Sequence, residues 1–300
     1  MLQQTTVKTV EPYYVAFLLR FPTLEALARA PVEKVLAAWS GLGYYRRARH
    51  LHAAARVVAA EHGGRIPATR EELLALPGIG RYTAGAILSI AFGRPEPIVD
   101  GNVARVVSRL LLLRGDPRGR TAQQRLWGAA RALVEASPSP ADLNQSLMEL
   151  GATVCSTSAP ACRRCPIARS CAARAAGLQE TIPPVRRQRA PVRLQQTIAI
   201  VRRNGRLLMH RRARTGLLDG LWEFPEVPGA PRPGGLRLRL GRRLGSVRHT
   251  ITFRRFEVEV RAARLVAPPR GRSYTWVSPA TARRLPTSSL VGKILATLEG

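Results

Sequence analysis

The stretch that decides the fold runs from Leu76 to Leu110, LPGIGRYTAGAILSIAFGRPEPIVDGNVARVVSRL. It opens on Leu76-Pro77-Gly78-Ile79-Gly80, set between amphipathic helical runs at 70–76 and 81–92. Gly78 and Gly80 permit a tight turn, and the helix that follows starts with N–H groups that have no intrahelical acceptor. Those donors, with the positive end of the helix dipole, suit a phosphate without needing a cation. Taken alone, such a turn is more often a plain helix connection. Asp100 then precedes a further run at 101–113, where an aspartate is also an ordinary N-cap.

Working outward, residues 1 to about 153 read as helices, with apolar positions recurring at three- and four-residue spacing and Gly63-Gly64 as a stop. The later runs are 121–136 and 141–153. Residues 177–194, rich in Pro and Arg, read as a linker or a surface wrap. Beyond it the period changes: 195–201, 206–211 and 256–266 read as strands, 289–298 as a closing helix, and 228–243 as a loop. The expected fold is multidomain, an all-α unit over 1–176 followed, after the linker 177–194, by a small α+β unit over 195–300.

The 300 residues hold 48 Lys+Arg against 19 Asp+Glu, a net charge of +29, and all but Lys8, Lys34 and Lys293 of those cations are arginine. Such a surface attracts polyanions, and the guanidinium fork suits phosphate. No stretch approaches eighteen uncharged apolar residues, which argues against a membrane-spanning helix, and MLQQTTVKTVEPYY has no secretory pattern. A cytoplasmic, nucleoid-associated monomer is the expectation.

The four cysteines, Cys155, Cys162, Cys165 and Cys171, are confined to one short segment spaced C-x6-C-x2-C-x5-C. Disulfide scaffolds spread their cysteines through small secreted domains, so a single metal or cluster site is the better reading. Spacing alone leaves zinc open, although it is too compact for paired zinc knuckles.

Together, the hairpin, the aspartate about twenty residues after it and the cysteine spacing resemble the helix-hairpin-helix DNA glycosylase superfamily. The resemblance implies a hairpin (Gly78, Gly80) gripping phosphate and a catalytic Asp100 facing the sugar of a flipped nucleotide. It implies a 4Fe–4S cluster on the four cysteines, shaping a loop that carries Arg163, Arg164 and Arg169. Tyr82 stands where endonuclease III-like enzymes place a Schiff-base lysine, which disfavours an imine mechanism. Tyrosine there, with MLQQT at the start and GLGYYRRAR at 41–49, resembles the adenine DNA glycosylases that act on adenine opposite 8-oxoguanine. Carried over, Tyr82 and Asn102 would orient Asp100, Gln4 and Thr5 would meet the 8-oxoguanine strand, Leu42 and Tyr44 would wedge into the stack, and Gln145 would read the adenine edge. The implied partner is double-stranded DNA with A:8-oxoguanine or A:G mispairs, and the implied reaction is monofunctional hydrolysis of the N-glycosidic bond.

Gly216–Pro225, GLLDGLWEFP, resembles the Nudix-like domain these glycosylases use to recognise 8-oxoguanine. A Nudix hydrolase holds Mg²⁺ on clustered carboxylates, whereas Glu226 is the one acidic residue between Phe224 and Phe256, so binding rather than pyrophosphate hydrolysis is expected. His249-Thr250-Ile251-Thr252-Phe253 takes the place of the lesion-reading loop: Thr252 keeps a hydroxyl, and Phe253 replaces the usual histidine. The family's general-acid glutamate lies two positions before the methionine that begins this sequence. The expectation is therefore a chain truncated at its N-terminus, the alternative being a lesion-binding protein with impaired turnover.

Overall fold

The computed structural model describes residues 1–2, 5–184, 190–213, 218–227, 236–268 and 273–299. Two compact units emerge, one formed by 1–64 with 189–300, the other by 65–188.

In the first unit, α1 (Val7–Arg20), α2 (Leu24–Arg29), α3 (Val32–Ala38) and α4 (Arg46–Glu61) precede the sheet. Phe17, Phe21 and Trp39 form an aromatic centre, with ring centroids 4.9 and 6.1 Å apart. Ala48, Ala54 and Ala55 line the buried face of α4, where small side chains allow close helix approach. Leu221 belongs to this same buried cluster, and Leu218 packs on it, so the early helices share a core with the later chain.

Among the described residues seven strands follow: β1 (Val192–Arg203), β2 (Arg206–Arg211), β3 (Trp222–Glu223), β4 (Glu226–Val227), β5 (Leu238–Ile251), β6 (Arg254–Leu265) and β7 (Tyr274–Val277). The order is β3-β2-β1-β6-β5, with β4 beside β1 and β7 beside β2; β1 and β6 are parallel, which makes the sheet mixed. Asn204 and Gly205, both at positive φ (49° and 71°), make the tight β1–β2 turn. Ile198, Ile200, Val258 and Val260 pack against Val291, Ile294 and Leu295 of α12 (Ser289–Thr297), which follows α11 (Pro279–Arg284).

Two readings are corrected here. The expected loop 228–243 gives way to strand from Leu238, because Leu238 and Leu240 pair with Leu265 and Ala263 while the intervening Arg239 is exposed. Residues 228–235 lie outside the described residues. The linker expected to reach 194 ends earlier, since Val192↔Arg254 already pairs β1 with β6.

The second unit is helical: α5 (Arg70–Ala75), α6 (Arg81–Ala86), α7 (Gly101–Leu110), α8 (Arg120–Glu135), α9 (Pro140–Thr153) and α10 (Ala172–Ala175). The expected helix 81–92 is α6 running into one π-turn over Ile87–Ala91, where buried Ser89 donates back to the Gly85 carbonyl at 2.8 Å. Val103, Val106 and Val107 of α7 meet Leu126 of α8 and Leu147 of α9, so α7 is the central helix. Among the described residues no helix is long and apolar enough to cross a membrane.

Candidate active site

Leu76 ends α5, Gly78 turns the chain at φ 78°, and Gly80 is the N-cap of α6 without a side chain to cap it. The hairpin is therefore built as the sequence indicates.

From α6 the chain returns to Asp100. Its Oδ1 accepts from Val103 N–H at 2.7 Å and its Oδ2 accepts from Asn102 Nδ2 at 3.2 Å, so both carboxylate oxygens are fixed. The capping and functional readings thus coexist in one side chain. Tyr82 is half-buried with its hydroxyl 3.8 Å from Met148 Sδ; burial first, and the charge of Asp100 second, hold its phenol above the ordinary range. A cavity of about 400 Å³ opens beside Asp100, lined also by Arg105, Arg109, Arg118 and Gln123. Gln145 is exposed on α9, where its Nε2 donates to Ala141 O at 3.3 Å; it does not line this cavity.

Comparison with known proteins bears on this geometry. Residues 1–132 match the family described as HhH-GPD superfamily base excision DNA repair protein, and 197–297 match the NUDIX domain. Human adenine DNA glycosylase is 40% identical over 277 residues, covering 77% of this chain and 50% of the human protein. That of Schizosaccharomyces pombe is 45% identical over 175 residues, 58% of this chain and 38% of the yeast protein. A solved thermostable thymine-DNA glycosylase superposes with a TM-score of 0.53 at 29% identity, covering 58% of this chain and 80% of its own. Residues 1–132 thus carry the HhH-GPD domain, and the chain as a whole is similar to adenine DNA glycosylases. It spans about half the length of the curated relatives it matches.

In the second unit, several residues that pattern reading missed set the position of Asp100. Asn144, fully buried, accepts from Ile98 N–H at 3.2 Å and donates to Glu96 O at 2.8 Å, tying the segment before Asp100 to α9. A Cβ at Gly85 would lie 2.3 Å from Pro97 O, and one at Gly151 would lie 2.6 Å from Asn102 Cβ, so both glycines permit close backbone approach. Arg105 donates to Asn102 Oδ1 (2.9 Å), Gly151 O (2.6 Å) and Cys155 O (2.7 Å). The one sequence clue was a glycine in mid-helix at both positions.

All four cysteines are free and partly buried. The Cys162 thiol is pushed up by burial first and then by the nearby Cys155, Cys171 and Cys165. Arg109, 2% exposed, donates to Cys155 Sγ at 3.1 Å and to Ser156 O and Ile182 O at 2.7 Å, joining the loop to α7. Among the described residues no group of three or more His, Cys, Asp or Glu is drawn together to hold a single metal ion. Zn–S bonds of about 2.3 Å require tightly converging sulfurs, whereas a cluster holds its ligands farther apart. Four free thiols on one loop supply a donor set that either group would take. Arg163, Arg164 and Arg169 all face solvent there.

In the first unit Leu42 is 5% exposed, packed into the core. Tyr44 is 55% exposed at φ 47°. Arg47, also missed, lies 5.5 Å from the Tyr44 and Trp39 rings and donates to Thr5 Oγ1 at 3.4 Å, so it brings Thr5 and Tyr44 together. Gln4 lies outside the described residues, as do Gly216 and Leu217. Thr252 and Phe253 form the tip of the β5–β6 hairpin; Thr252 is exposed at φ 55°, and its hydroxyl donates to Ile251 O at 2.7 Å. His249 is buried behind the tip, and burial, then Lys293, keep its imidazolium below the usual range.

Proposed function

We propose that the chain excises adenine mispaired with 8-oxoguanine or guanine in duplex DNA, by hydrolysis at the sugar carbon and without strand cleavage. The observation that carries this reading is Asp100, whose carboxylate is held at both oxygens beside a cavity lined by arginines. Positive charge develops on the sugar as the glycosidic bond breaks. A fixed carboxylate stabilises that charge without reorganising at the moment of reaction. The base must leave the stack to reach it, and Tyr44, the exposed aromatic of its loop, is the side chain suited to fill the gap. Tyr82 stays neutral in the field of Asp100, with its hydroxyl on Met148 of α9. No lysine lies between Lys34 and Lys293, so the second unit has no amine for an imine route.

Cys155, Cys162, Cys165 and Cys171 would hold a 4Fe–4S cluster, which supplies a rigid centre for the arginine loop when bound. The hairpin tip at Thr252 and Phe253 would meet the strand carrying 8-oxoguanine. The protein works as a cytoplasmic monomer in this reading.

Single-turnover excision on duplexes with A:8-oxoguanine, A:G and A:T is the test. Asp100→Asn keeps size and capping but removes the charge, and should slow excision at least about a hundredfold with little change in Kd. Borohydride should trap no covalent complex. Equal rates for Asp100→Asn and the parent chain, or a trapped complex, would overturn the proposal.

A further inference from the structure

At the end of the β5–β6 ladder remote from the hairpin tip lies a cavity of about 770 Å³. Arg202 of β1, Arg239, Arg242 and Arg243 of β5, and Arg264 of β6 line it above an apolar floor, and no acidic side chain does. Among the described residues none of these five arginines takes part in an ion pair. Five like charges around one concavity repel one another, and a bound polyanion would offset that repulsion.

The backbone that presents them is fixed. The β5–β6 register shifts between Leu240 and Arg243 and again between Arg243 and Gly245, a double irregularity that re-aims the arginines. Arg261 secures it from the facing strand, its Nε and Nη2 both donating to Gly241 O at 3.1 and 2.8 Å. A Cβ at Gly245 would lie 2.4 Å from Thr297 Cγ2, so α12 closes tightly on the same place.

We infer that this cavity is a second nucleic-acid contact that takes the phosphodiester backbone of duplex flanking the lesion. The ten residues of β5 between Gly241 and Ile251 span roughly 30 Å along the strand. With β5 laid along the duplex, phosphates repeating every ~3.4 Å along one strand put the contact about nine base pairs from the hairpin tip. That spacing rests on the proposed function, because it takes the tip to be at the lesion; the binding of phosphate does not.

The test uses the full chain and a triple variant, Arg239→Gln with Arg242→Gln and Arg243→Gln, and its lysine counterpart, all checked by thermal melting. Kd is measured against salt on 30-base-pair and 12-base-pair duplexes, each with a central A:8-oxoguanine pair and each also undamaged. On the long duplexes the glutamine variant should lower the log–log salt slope by about 2–3, weakening binding on the order of a hundredfold at 0.15 M salt. The lysine variant should restore the slope, and on the 12-base-pair duplexes all three proteins should bind and excise alike. An unchanged slope on long DNA, or an equal loss at both lengths, overturns the inference. So does binding of inorganic triphosphate, blocked by the glutamine variant, with the DNA slope unaffected. A length-dependent loss in a protein that excises nothing would uphold the cavity and sink the glycosylase reading instead.

Discussion

Removing one oxygen from Tyr45 tests how the loop that displays Tyr44 is held. Tyr45 is 5% exposed, and its hydroxyl donates to Thr287 O at 2.5 Å while accepting from Gly41 N–H at 3.2 Å. Ser40 Oγ donates to the same Thr287 carbonyl at 3.0 Å, and Trp39 Nε1 donates to Gly43 O at 3.1 Å. A Cβ at Gly41 would collide with the Tyr13 hydroxyl, so the turn is held from both sides. Burial is the main reason that the Tyr45 phenol sits above its ordinary range, which keeps it a donor at neutral pH.

Tyr45→Phe preserves the ring and its packing. It removes two hydrogen bonds: Thr287 O keeps Ser40 as partner, but Gly41 N–H loses this acceptor, so the cost is about 1–3 kcal/mol. Ser40→Ala alone costs about 0.5–1 kcal/mol for the converse reason. With both changed, a carbonyl on a residue only 6% exposed loses both of these donors. That adds a desolvation penalty of about 1–3 kcal/mol, so the pair should be worse than the sum of its parts. Thermal unfolding followed by tryptophan fluorescence reads this, with Trp39 bonded within the loop among the four tryptophans that contribute. The double variant should melt several degrees below the additive expectation, at about 2–4 °C per kcal/mol. Additivity within about 0.3 kcal/mol would mean that the two hydroxyls do not share the carbonyl, and the reasoning fails.

Two further outcomes follow from the second unit. Gly85→Ala places a Cβ against Pro97 O, a backbone atom that cannot rotate away, so it should destabilise by about 1–3 kcal/mol and slow excision by displacing Asp100; an unchanged melt and rate would show that the approach is not tight. Protein purified without oxygen should carry iron and sulfide on its four cysteines, and chelation should lower its melting temperature; stoichiometric zinc without iron would remove the cluster.

The helices of the second unit were legible because their apolar residues keep a 3.6-residue period, and the hairpin because Gly78 and Gly80 punctuate it. The start of β5 was not: its exposed arginines and Gly241 mask the alternation, and only pairing with Leu265 and Ala263 makes 238–243 a strand. Leu42 and Tyr44 read alike as apolar residues of one glycine-rich loop, yet one is core and the other exposed, a choice made by tertiary packing. Asn144 looked like any polar helix residue. Its partners, Glu96 and Ile98, lie nearly fifty residues away in a non-periodic segment, and no local pattern encodes that contact.

What these unread residues have in common bears on catalysis. Asp100 is held by its own helix start, by Asn102, and through Asn102 by Arg105, while Asn144 and Gly85 fix the backbone leading into it. Arg105 extends from Asn102 to Cys155 O, and Arg109, one helical turn on, reaches Cys155 Sγ. The carboxylate and the cysteine loop are therefore held by the same helix, α7, with two arginines as the struts. A carboxylate that stabilises a developing charge must already be in place, since a shift of about 1 Å can cost on the order of a hundredfold in rate. Loosening the cysteine loop should therefore be felt at Asp100 as lost rate before it is felt as lost affinity, because α7 carries the strain from one to the other.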